Sequence, residues 1–390
     1  MHPDVIVLGL GAMGSATLLQ LARRGVRVLG IDRHDPPHDR GSSHGETRIT
    51  RQAIGEGADY TPLALRSHAV WRELEAETGE RLLLTCGFLG IDGADGATLF
   101  HGKPGFLGRT REVAQRYGIP HEVLSPDEVR RRFPAFRTTD SDQCYYEPGG
   151  GLVFPERCVA AQLTVARRLG AEVRTGETVL SVTPTASGVT VRTDRDTHHA
   201  GHAVLATGGW TADLAPRAMR AFRLLRQVLH WYPASDPDIW SAERCPTFIW
   251  THGPTPEDSF YGFPMVPGTP TAGVKVATEQ YAAAAASAET IDRDADPAES
   301  AAMHATHVAP FLAGVGPVAR RAAVCFYTSA PDGDFAIGPV GDTANVTLVS
   351  ACSGHGFKHA PGVGTLVADA LLAGAPIPAA FSPARPTLRG

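Results

Sequence analysis

Cysteine is scarce in this sequence, and its spacing argues against two classes of site. Six cysteines are spread over 390 residues, with no Cys-x-x-Cys pair among them. Structural zinc sites and disulfide frameworks both depend on cysteines at short or paired spacings. We therefore expect no metal centre and no disulfide-stabilised fold, and this cysteine usage fits a reducing cytoplasm.

A positive charge excess and a long apolar run are also missing. The 36 Lys and Arg residues are outnumbered by 41 Asp and Glu residues, so the net charge at pH 7 is -5. Nucleic acids and anionic lipid surfaces attract basic proteins, and neither is an expected partner here. The apolar run from Val5 is soon broken by glycines and has no basic leader. This pattern predicts neither a signal peptide nor a membrane span.

The chain is long and apolar enough for more than one core. Hydrophobic residues make up 43% of its 390 residues, close to the average for globular proteins. A single core seldom extends over so many residues, so we predict an α/β protein with two interleaved domains. A Rossmann-like domain is expected at 1–85, 145–220 and 325–390, and a mixed-sheet α+β substrate domain at 86–144 and 221–324.

The first domain opens with a dinucleotide-binding pattern. A β-branched run, a glycine turn, a helical stretch and a second apolar strand follow one another between residues 4 and 31. Gly9, Gly11 and Gly14 form G-x-G-x-x-G at the turn, where the backbone can approach a pyrophosphate at the helix N-terminus. Asp32 ends the second strand and can accept hydrogen bonds from an adenosine ribose. The pattern predicts FAD or NAD and does not separate the two.

Apolar periodicity predicts the remaining elements. An antiparallel sheet over a pocket is expected in residues 226–276, where aromatic and β-branched runs alternate with Pro and Gly. Helices are predicted at 15–24, 61–77, 113–117, 126–132, 158–170, 282–286 and 362–372. Strands are predicted at 4–8, 26–31, 172–174, 179–183, 188–192, 203–206 and 346–350.

Two later segments carry further nucleotide-binding signals. Ala-Thr-Gly-Gly-Trp at 206–210 follows a predicted strand and resembles the second nucleotide-contact segment of flavoproteins of the glutathione reductase superfamily. Gly354 and Gly356 precede the last predicted helix. The first N–H groups of such a helix favour negative charge on a bound flavin ring.

Several motifs are spread along the chain in one order. Gly-Ser-Ser-His-Gly-Glu-Thr-Arg-Ile-Thr-Arg lies at 41–51, Tyr-Thr-Pro-Leu-Ala-Leu-Arg-Ser at 60–67 and Ser-Gly-His-Gly-Phe-Lys at 353–358. Between them come Tyr-Gly-Phe-Pro at 261–264, Lys275 and Cys-Phe-Tyr-Thr at 325–328. Together they closely resemble the monomeric sarcosine oxidase and N-methyltryptophan oxidase family. The resemblance spans nearly the whole chain.

The resemblance implies that the Rossmann-like domain binds FAD and holds it covalently. Taken alone, a free cysteine such as Cys325 is most often a small, buried, apolar residue. The family places its flavin-linking cysteine here, so Cys325 is expected to carry an 8α-S-cysteinyl thioether, and the other five cysteines are read as structural. The implied cofactor contacts are Gly9, Gly11, Gly14, Asp32, Ser42, Thr47, Gly354, His355, Gly356, Phe357 and Lys358.

The resemblance also assigns roles to charged and aromatic side chains. Taken alone, arginines three apart are usually a solvated pair, a strand lysine usually reaches solvent, and tyrosines are usually core residues. In the family, two cations hold the substrate carboxylate and a lysine near flavin N5 activates oxygen. The implied catalytic residues are Lys275, Arg48 and His44, and the implied substrate contacts are Arg51, Lys358, Tyr261 and Tyr327.

The expected activity is oxidation of the C–N bond of an N-methyl or cyclic secondary amino acid. The product imine is hydrolysed, with formaldehyde released from N-methyl substrates, and oxygen is reduced to hydrogen peroxide. An NAD-dependent dehydrogenase, a flavin dehydrogenase that does not use oxygen and a non-catalytic nucleotide-binding module remain alternatives. The family default is a monomer.

Departures from the family pattern bear on the substrate. Ser43 stands where the family frequently has histidine, and Glu279 follows Lys275 by four residues, where sarcosine oxidases have a pocket histidine. The loop at 265–273 is also longer than in sarcosine oxidases. We expect Glu279 to contact a cationic or hydroxylated side chain of the substrate, with orientation toward solvent as the alternative. Ser43, Trp250 and the loop are expected to shape a pocket for a substrate larger than sarcosine.

Overall fold

The structure, a computed structural model, describes residues 2–93, 96–97, 101, 103–341 and 344–389. Within these residues two large sheets form, each from strands that are distant in the sequence. The chain passes repeatedly between the two, so the two layers are interleaved. This is the α/β architecture with a mixed-sheet second layer that the sequence predicts.

The first large sheet is parallel except at one edge. Its two middle strands are buried on both faces, as expected for strands covered on either side. Val5 and Val7 pack against helices, whereas Ile6 and Leu8 face a small antiparallel sheet, because alternate side chains point to opposite faces. In order, the strands are Ala336–Pro339 (antiparallel), Val346–Ser350, His202–Leu205, Val5–Leu8, Val28–Ile31 and Glu172–Arg174.

The second large sheet is mostly antiparallel. One parallel pair, Phe88–Asp92 with Thr247–Thr251, joins two antiparallel halves. Ile249 and Tyr261 face away from the aromatic core formed by Trp250, Phe248 and Phe260. Arg321–Ser329 pairs along one edge of Arg223–Tyr232, and Ala284–Ala285 and Val274–Thr278 pair with the two ends of its other edge. From Val274–Thr278 the order continues with Ser259–Phe263, Thr247–Thr251, Phe88–Asp92, Gln143–Glu147 and Glu122–Leu124.

Helices cover one face of the parallel sheet, and short elements complete the fold. Two small antiparallel sheets consist of Val179–Thr185, Gly188–Thr193 and Thr197–Ala200, and of Arg48–Thr50, Gly151–Val153 and Leu83–Leu84. The α-helices are Ala12–Arg23, Tyr60–Thr78, Phe106–Tyr117, Pro126–Arg132, Pro155–Arg168, Thr211–Leu214, Pro216–Met219, Pro297–Met303 and Ala360–Ala373. Short 3-10 turns lie at Gly208–Trp210, Pro256–Asp258, Phe357–His359, Ala379–Phe381 and Pro386–Leu388, and a π-helical turn at His304–Val308.

The glycine turn after the first strand needs glycine at two of its positions. Gly9 has φ +81, and a Cβ there would lie 2.7 Å from the carbonyl oxygen of Ala206. A Cβ on Gly14 would lie 1.7 Å from the carbonyl oxygen of Gly9. The helix Ala12–Arg23 therefore starts directly against the strand end, with its N-terminus beside the sheet edge.

Most predicted elements are confirmed, with shifted ends. The helix predicted at 113–117 extends to Phe106–Tyr117, and the one at 126–132 has the predicted bounds, with Ser125 and Glu128 forming a capping box. The helix predicted at 282–286 is wrong, because Ala284–Ala285 pairs with Leu224 and Leu225. Five alanine-rich residues are too few to nucleate a helix, and the long strand beside them offers backbone partners.

The predicted domain boundaries stay a prediction. Arg321–Ser329 crosses the expected boundary at 325, and all nine of its residues pair with Arg223–Tyr232. Cys325 lies in the middle of this strand, where it pairs with Gln227. Among the helices of the described residues, none combines the length and the apolar character of a membrane span.

Candidate active site

Two adjoining cavities lie between the two large sheets. The larger has a volume of about 420 Å³ and runs from the glycine turn to the end of Val346–Ser350. The smaller has a volume of about 80 Å³ and lies beneath the mixed sheet. Arg48, Tyr327, Gly354 and Phe357 line both cavities, so the two meet at these residues.

The larger cavity is built on the dinucleotide-binding pattern. Gly9, Gly11 and Asp32 line it, and Gly11 precedes the first turn of the helix Ala12–Arg23. The buried Asp32 carboxylate accepts the N–H groups of Leu10 at 2.7 Å and His34 at 2.8 Å, one on each oxygen. Each oxygen keeps a further lone pair, so this fixed carboxylate can also accept ribose hydroxyl groups.

Buried hydroxyl groups give an independent test of whether this cavity suits a polar ligand. Thr328 Oγ1 and Ser350 Oγ are both buried in its wall, and neither has a hydrogen-bond partner among the described residues. Buried polar groups are nearly always satisfied, so these hydroxyls fit a ligand with polar edges. With the glycine turn and Asp32, they make the cavity fit a dinucleotide.

Cys325 stands where the two cavities meet, in a cationic setting. Its Sγ lies 3.6 Å from Nη2 of Arg48. Burial would raise the pKa of this thiol, but a hydrogen bond and the charge of His44, together with the charge of Arg48, lower the pKa from 9.0 to about 7. At neutral pH a large share of Cys325 is thiolate, the nucleophilic form. Cys325 lines the smaller cavity, whereas Cys352 lines the larger one, and burial raises the pKa of Cys352.

One end of the smaller cavity holds two cations and one carboxylate. Arg51, only 1% exposed, donates to both oxygens of Glu56 at 2.8 and 2.7 Å and to the carbonyl oxygen of Ala53 at 2.7 Å. Lys358 Nζ donates to the carbonyl oxygen of His355 at 2.7 Å and lies 3.8 Å from Glu56. Burial opposes ionisation of Glu56, but Arg51 and Lys358 hold its pKa well below the usual range. Burial lowers the pKa of Lys358 to about 8.

A second buried charge pair forms another wall of the smaller cavity. His101 Nε2 lies 3.0 Å from Oε2 of Glu279, and the hydroxyl of Tyr281 donates to the same oxygen at 2.8 Å. His101 Nδ1 lies 3.5 Å from Glu56. Burial would lower the pKa of His101, but Glu279 and Glu56 raise it to about 9. His101 is therefore a cation at neutral pH, and Glu279 already has two protein partners.

Two tyrosines from different strands complete the wall. Tyr261 lies on Ser259–Phe263 and Tyr327 on Arg321–Ser329, and both line the smaller cavity. Burial raises the pKa of Tyr261 to about 12 and that of Tyr327 further. Both hydroxyls stay protonated at neutral pH and can act as hydrogen-bond donors.

Lys275 is fully enclosed and lines neither cavity, although it lies close to Arg48 at the junction. Its side chain is 2% exposed, and Nζ donates to the carbonyl oxygens of Gly45 and Thr47, each at 2.7 Å. The aromatic ring of Phe263 is 4.5 Å away. Burial, and then the charge of Arg48, place the pKa of Lys275 well below its usual value. The snorkelling alternative is wrong, because this lysine points into the protein.

Most of the site residues predicted from the sequence line one of the two cavities. Gly14 shapes the turn without lining the cavity, Thr47 contacts Lys275, and His44 is buried beside Cys325. Those lining the larger cavity are Gly9, Gly11, Asp32, Ser42, Arg48, Tyr327, Gly354, Gly356 and Phe357. Those lining the smaller cavity are Arg48, Arg51, Tyr261, Glu279, Cys325, Tyr327, Gly354, His355, Phe357 and Lys358.

Three expected pocket-shaping features lie elsewhere. Ser43 Oγ accepts the N–H of Ala12 at 3.0 Å and lines the larger cavity instead. Trp250 packs in the aromatic core, because the alternation along its strand turns Ile249 toward the smaller cavity. The loop at 265–273 bonds to Trp240 and, through Thr271, to Glu46, and none of its residues lines the smaller cavity.

Sequence reasoning missed several residues of the site. Glu56, His101 and Gln227 line the smaller cavity, and Glu156 accepts backbone N–H groups next to Lys275. Of these residues, only Glu56 had a signal in the sequence, because it lies five residues after Arg51, the last residue of the motif at 41–51. Within the described residues, no group of three or more His, Cys, Asp or Glu side chains is arranged to hold a metal ion.

These observations define an enzyme that binds a dinucleotide beside a small cationic pocket, and comparisons with known proteins identify the dinucleotide. A model of the family described as FAD dependent oxidoreductase matches residues 4–370. Monomeric sarcosine oxidase of Streptomyces avermitilis is 38% identical over 373 residues, 95% of this chain and 94% of that protein. N-methyl-L-tryptophan oxidase of Yersinia pestis is 34% identical over 368 residues, 94% of either protein.

A solved structure agrees with these relatives. The open form of NikD, described as an unusual amino acid oxidase essential for nikkomycin biosynthesis, has a TM-score of 0.84 at 28% identity and covers 98% of this chain and 97% of its own. The chain belongs to the FAD-dependent oxidoreductase family, in the group that contains monomeric sarcosine oxidases and N-methyltryptophan oxidases. The cofactor is FAD, which decides the choice that the opening motif left open.

Proposed function

We propose that this protein is an oxidase of small secondary amino acids, with N-methyl or cyclic amino acids as substrates. The observation that carries the proposal is the small cationic cavity that opens onto the dinucleotide cavity at Arg48 and Tyr327. A ligand in the smaller cavity would meet the cofactor at this junction. Sarcosine and N-methyl-L-tryptophan, named for relatives that cover nearly the whole chain, belong to this substrate class.

The charges at one end of the smaller cavity suit a single carboxylate. Arg51 and Lys358 carry two positive charges and Glu56 one negative charge, so one positive charge is left uncompensated. A substrate carboxylate held by Arg51 and Lys358 would balance it through charge-assisted hydrogen bonds. The carboxylate fixes the amino acid at one end, and its nitrogen and reacting carbon then lie toward the cofactor.

The wall that His101 and Glu279 form favours an uncharged substrate side chain. The His101 cation and the Glu279 anion neutralise each other, and Tyr281 donates a further hydrogen bond to Glu279. An unpaired cationic or anionic side chain would have to break this buried pair, which is costly. We therefore favour a substrate with a neutral side chain, which includes the hydroxylated kind, over the cationic kind that the sequence also allowed for Glu279.

The reaction is a two-electron oxidation in two halves. Bound FAD would supply the redox chemistry, in which a hydride equivalent is lost from the carbon attached to nitrogen and two electrons reach oxygen. The amine becomes an imine, which water hydrolyses to an amine and a carbonyl compound, formaldehyde for an N-methyl substrate. Oxygen gains two electrons and two protons and leaves as hydrogen peroxide.

We assign the protein's part in the oxygen half-reaction to Lys275. Its ammonium group is buried and held by two carbonyl groups beside the cationic Arg48. A fixed positive charge in a site without water stabilises the negative charge that develops on oxygen. This arrangement favours an oxidase over a flavin dehydrogenase that passes its electrons to another protein.

Further assignments complete the proposal. Cys325 would form the 8α-S-cysteinyl bond to FAD, and His44 and Arg48 would lie beside the flavin ring. We propose a monomer in the cytoplasm, in keeping with six cysteines that are all free. The FAD-binding domain is assigned to 1–85, 145–220 and 325–390, and the substrate domain to 86–144 and 221–324.

A substrate panel tests the proposed function. The purified yellow protein is mixed anaerobically with sarcosine, N-methyl-L-tryptophan, L-proline and L-pipecolate, and then with the corresponding amines that lack the carboxylate. We expect at least one amino acid to bleach the flavin and its carboxylate-free analogue to fail. Hydrogen peroxide should appear in equal amount to the substrate consumed when air is admitted. Bleaching without peroxide would identify a dehydrogenase instead.

A further inference from the structure

The position of Lys275 depends on one short turn of the backbone. Nζ donates to the carbonyl oxygens of Gly45 and Thr47 and lies 3.3 Å from Thr47 Oγ1. These three acceptors use the three N–H bonds of the ammonium group. Within the described residues, Lys275 has no ion pair with a carboxylate. The turn at residues 45–47 therefore holds the charge in place.

That turn has a backbone conformation that needs support from outside. Gly45 has φ +100, and a Cβ there would lie 2.5 Å from Cδ1 of Leu229. Glu46 has φ +69, which costs an ordinary side chain about 1 kcal/mol or more. Such a conformation persists only where surrounding contacts determine it. The turn itself provides only the hydrogen bond from Thr47 N–H to the Gly45 carbonyl oxygen at 2.8 Å.

Arg48 Nη1 donates to the Thr47 carbonyl oxygen at 3.0 Å. The N–H groups of the turn are held by Glu156. Its Oε1 accepts the N–H of Gly45 at 2.7 Å and the N–H of Glu46 at 3.1 Å. Glu156 lies in the first turn of Pro155–Arg168, where the helix dipole favours a carboxylate. A carboxylate oxygen that accepts two successive N–H groups fixes both peptide planes.

One of these planes connects Glu156 directly with Lys275. The N–H of Glu46 and the carbonyl group of Gly45 belong to the same trans peptide, so they point in opposite directions. The carboxylate binds the N–H end, and the ammonium group binds the oxygen end. A negative charge at one end and a positive charge at the other polarise the peptide in the same sense, and each hydrogen bond strengthens the other.

We propose that Glu156 is a positioning residue that holds the Lys275 ammonium group in place through the peptide joining Gly45 to Glu46. The inference rests on the role proposed for Lys275 in the oxygen half-reaction. Glu156 lines neither cavity, so it acts without touching substrate or cofactor. The negative charge of Glu156 also favours the protonated form of Lys275 and raises its pKa.

The test separates the two half-reactions in Glu156→Gln and Glu156→Ala holoenzymes. Glutamine keeps an acceptor oxygen and loses the charge, whereas alanine loses both. The holoenzyme is reduced with dithionite and mixed with oxygenated buffer, so reoxidation is measured without an amine substrate. Flavin reduction is measured anaerobically with the amino acid from the panel that reduces the parent fastest.

Glu75→Gln is the matched control. Glu75 Oε1 also accepts two successive N–H groups, those of Leu82 at 2.8 Å and Leu83 at 2.9 Å, neither of which belongs to the turn at 45–47. We expect reoxidation to slow about tenfold in Glu156→Gln and more in Glu156→Ala, while flavin reduction changes less than threefold. Reoxidation in Glu75→Gln should stay within twofold of the parent.

Crystal structures give a readout that does not depend on activity. In Glu156→Ala, the distance from Lys275 Nζ to the Gly45 oxygen should exceed 3.5 Å, and the turn should change conformation. An unchanged turn and unchanged reoxidation would overturn the proposal, as would equal losses in both half-reactions. Lys275→Met distinguishes the two inferences. Parent-like reoxidation in Lys275→Met would refute the role of Lys275 in the oxygen half-reaction. A displaced Lys275 Nζ in the Glu156→Ala structure would still support positioning by Glu156.

Discussion

Nη2 of Arg48 lies 3.6 Å from Sγ of Cys325, at the junction of the two cavities. The cation therefore acts on the thiol at the place where a flavin would meet the substrate. Because His44 and Arg48 together overcome the effect of burial, the pKa of Cys325 is about 7. The arrangement favours a nucleophilic thiolate at a site that is otherwise closed to solvent.

Covalent attachment of the flavin is the first prediction. Acid precipitation of the parent protein should leave the yellow colour in the pellet, whereas Cys325→Ala should release it to the supernatant. Cys352→Ala is the control, because this thiol lines the adjoining larger cavity but burial raises its pKa. Its flavin should stay in the pellet. Release of flavin from the parent would refute the covalent link and leave FAD binding intact.

The rate of attachment should depend on pH. The thiolate is the reactive form, so the rate at which flavin-free protein becomes covalently labelled with added FAD should rise with pH and level off above about 7. In Arg48→Met the pKa of Cys325 should rise, because a stabilising positive charge is lost, and the midpoint should move to higher pH. A rate independent of pH between 6 and 9 would contradict the thiolate assignment.

Lys275→Met should separate the two halves of the reaction. Loss of a fixed charge that stabilises a developing negative charge typically slows a step about 10²- to 10³-fold. We expect this loss in reoxidation by oxygen, with flavin reduction changed much less. Burial lowers the pKa of Lys275, so reoxidation in the parent should fall as pH rises through that pKa and the ammonium group loses its proton. Stopped-flow absorbance at 450 nm follows both steps.

The main features of the fold follow from the sequence, but several pocket contacts do not. The glycine turn, Asp32 and the strand periodicity predict local structure, because Gly9 and Gly14 leave no space for a Cβ. Of the two acidic residues near the predicted cations, Glu56 carries a weak sequence signal and Glu156 carries none. Glu156 is 111 residues from Gly45 in the sequence, and only the folded chain brings the two into contact.

The sequence also does not predict which side chains point into the smaller cavity. Trp250 was expected in the pocket, but strand register turns Ile249 there instead. Glu279 lines the smaller cavity, yet its partner His101 lies 178 residues earlier and could not be paired with it in advance. At residues 282–286 the local sequence favours a helix, but pairing with a neighbouring strand decided the structure.

Substrate binding should weaken with rising pH through the titration of Lys358. Burial lowers the pKa of Lys358 to about 8, so its positive charge is present below pH 8 and is lost above it. The dissociation constant of a bound amino acid should therefore increase above pH 8. In Lys358→Met it should increase roughly 10- to 100-fold at pH 7, the usual effect of losing a hydrogen bond to a charged group. Titration of flavin absorbance measures both effects.

A competitive inhibitor without a carboxylate is the control for this prediction. Its affinity should be the same in the parent and in Lys358→Met, because Lys358 has no carboxylate to hold. If both kinds of ligand bind less tightly in the variant, the lysine shapes the cavity without recognising the carboxylate. An amino acid affinity that does not vary between pH 7 and 9 would likewise argue against the assignment.

Glu279→Gln should change which side chains the enzyme accepts. The variant removes the anion that lies 3.0 Å from His101, so the cavity gains one uncompensated positive charge wherever His101 stays protonated. The pKa of His101 should fall from about 9, but Glu56 still favours the charged form. We expect the ratio of kcat/KM for N-methyl-L-aspartate to that for N-methyl-L-alanine to rise about tenfold at pH 6.5, equivalent to about 1.4 kcal/mol.

Tyr281→Phe, which removes a hydrogen bond and no charge, should leave this ratio within twofold of the parent. A ratio unchanged in Glu279→Gln would show that substrate side chains do not reach this wall.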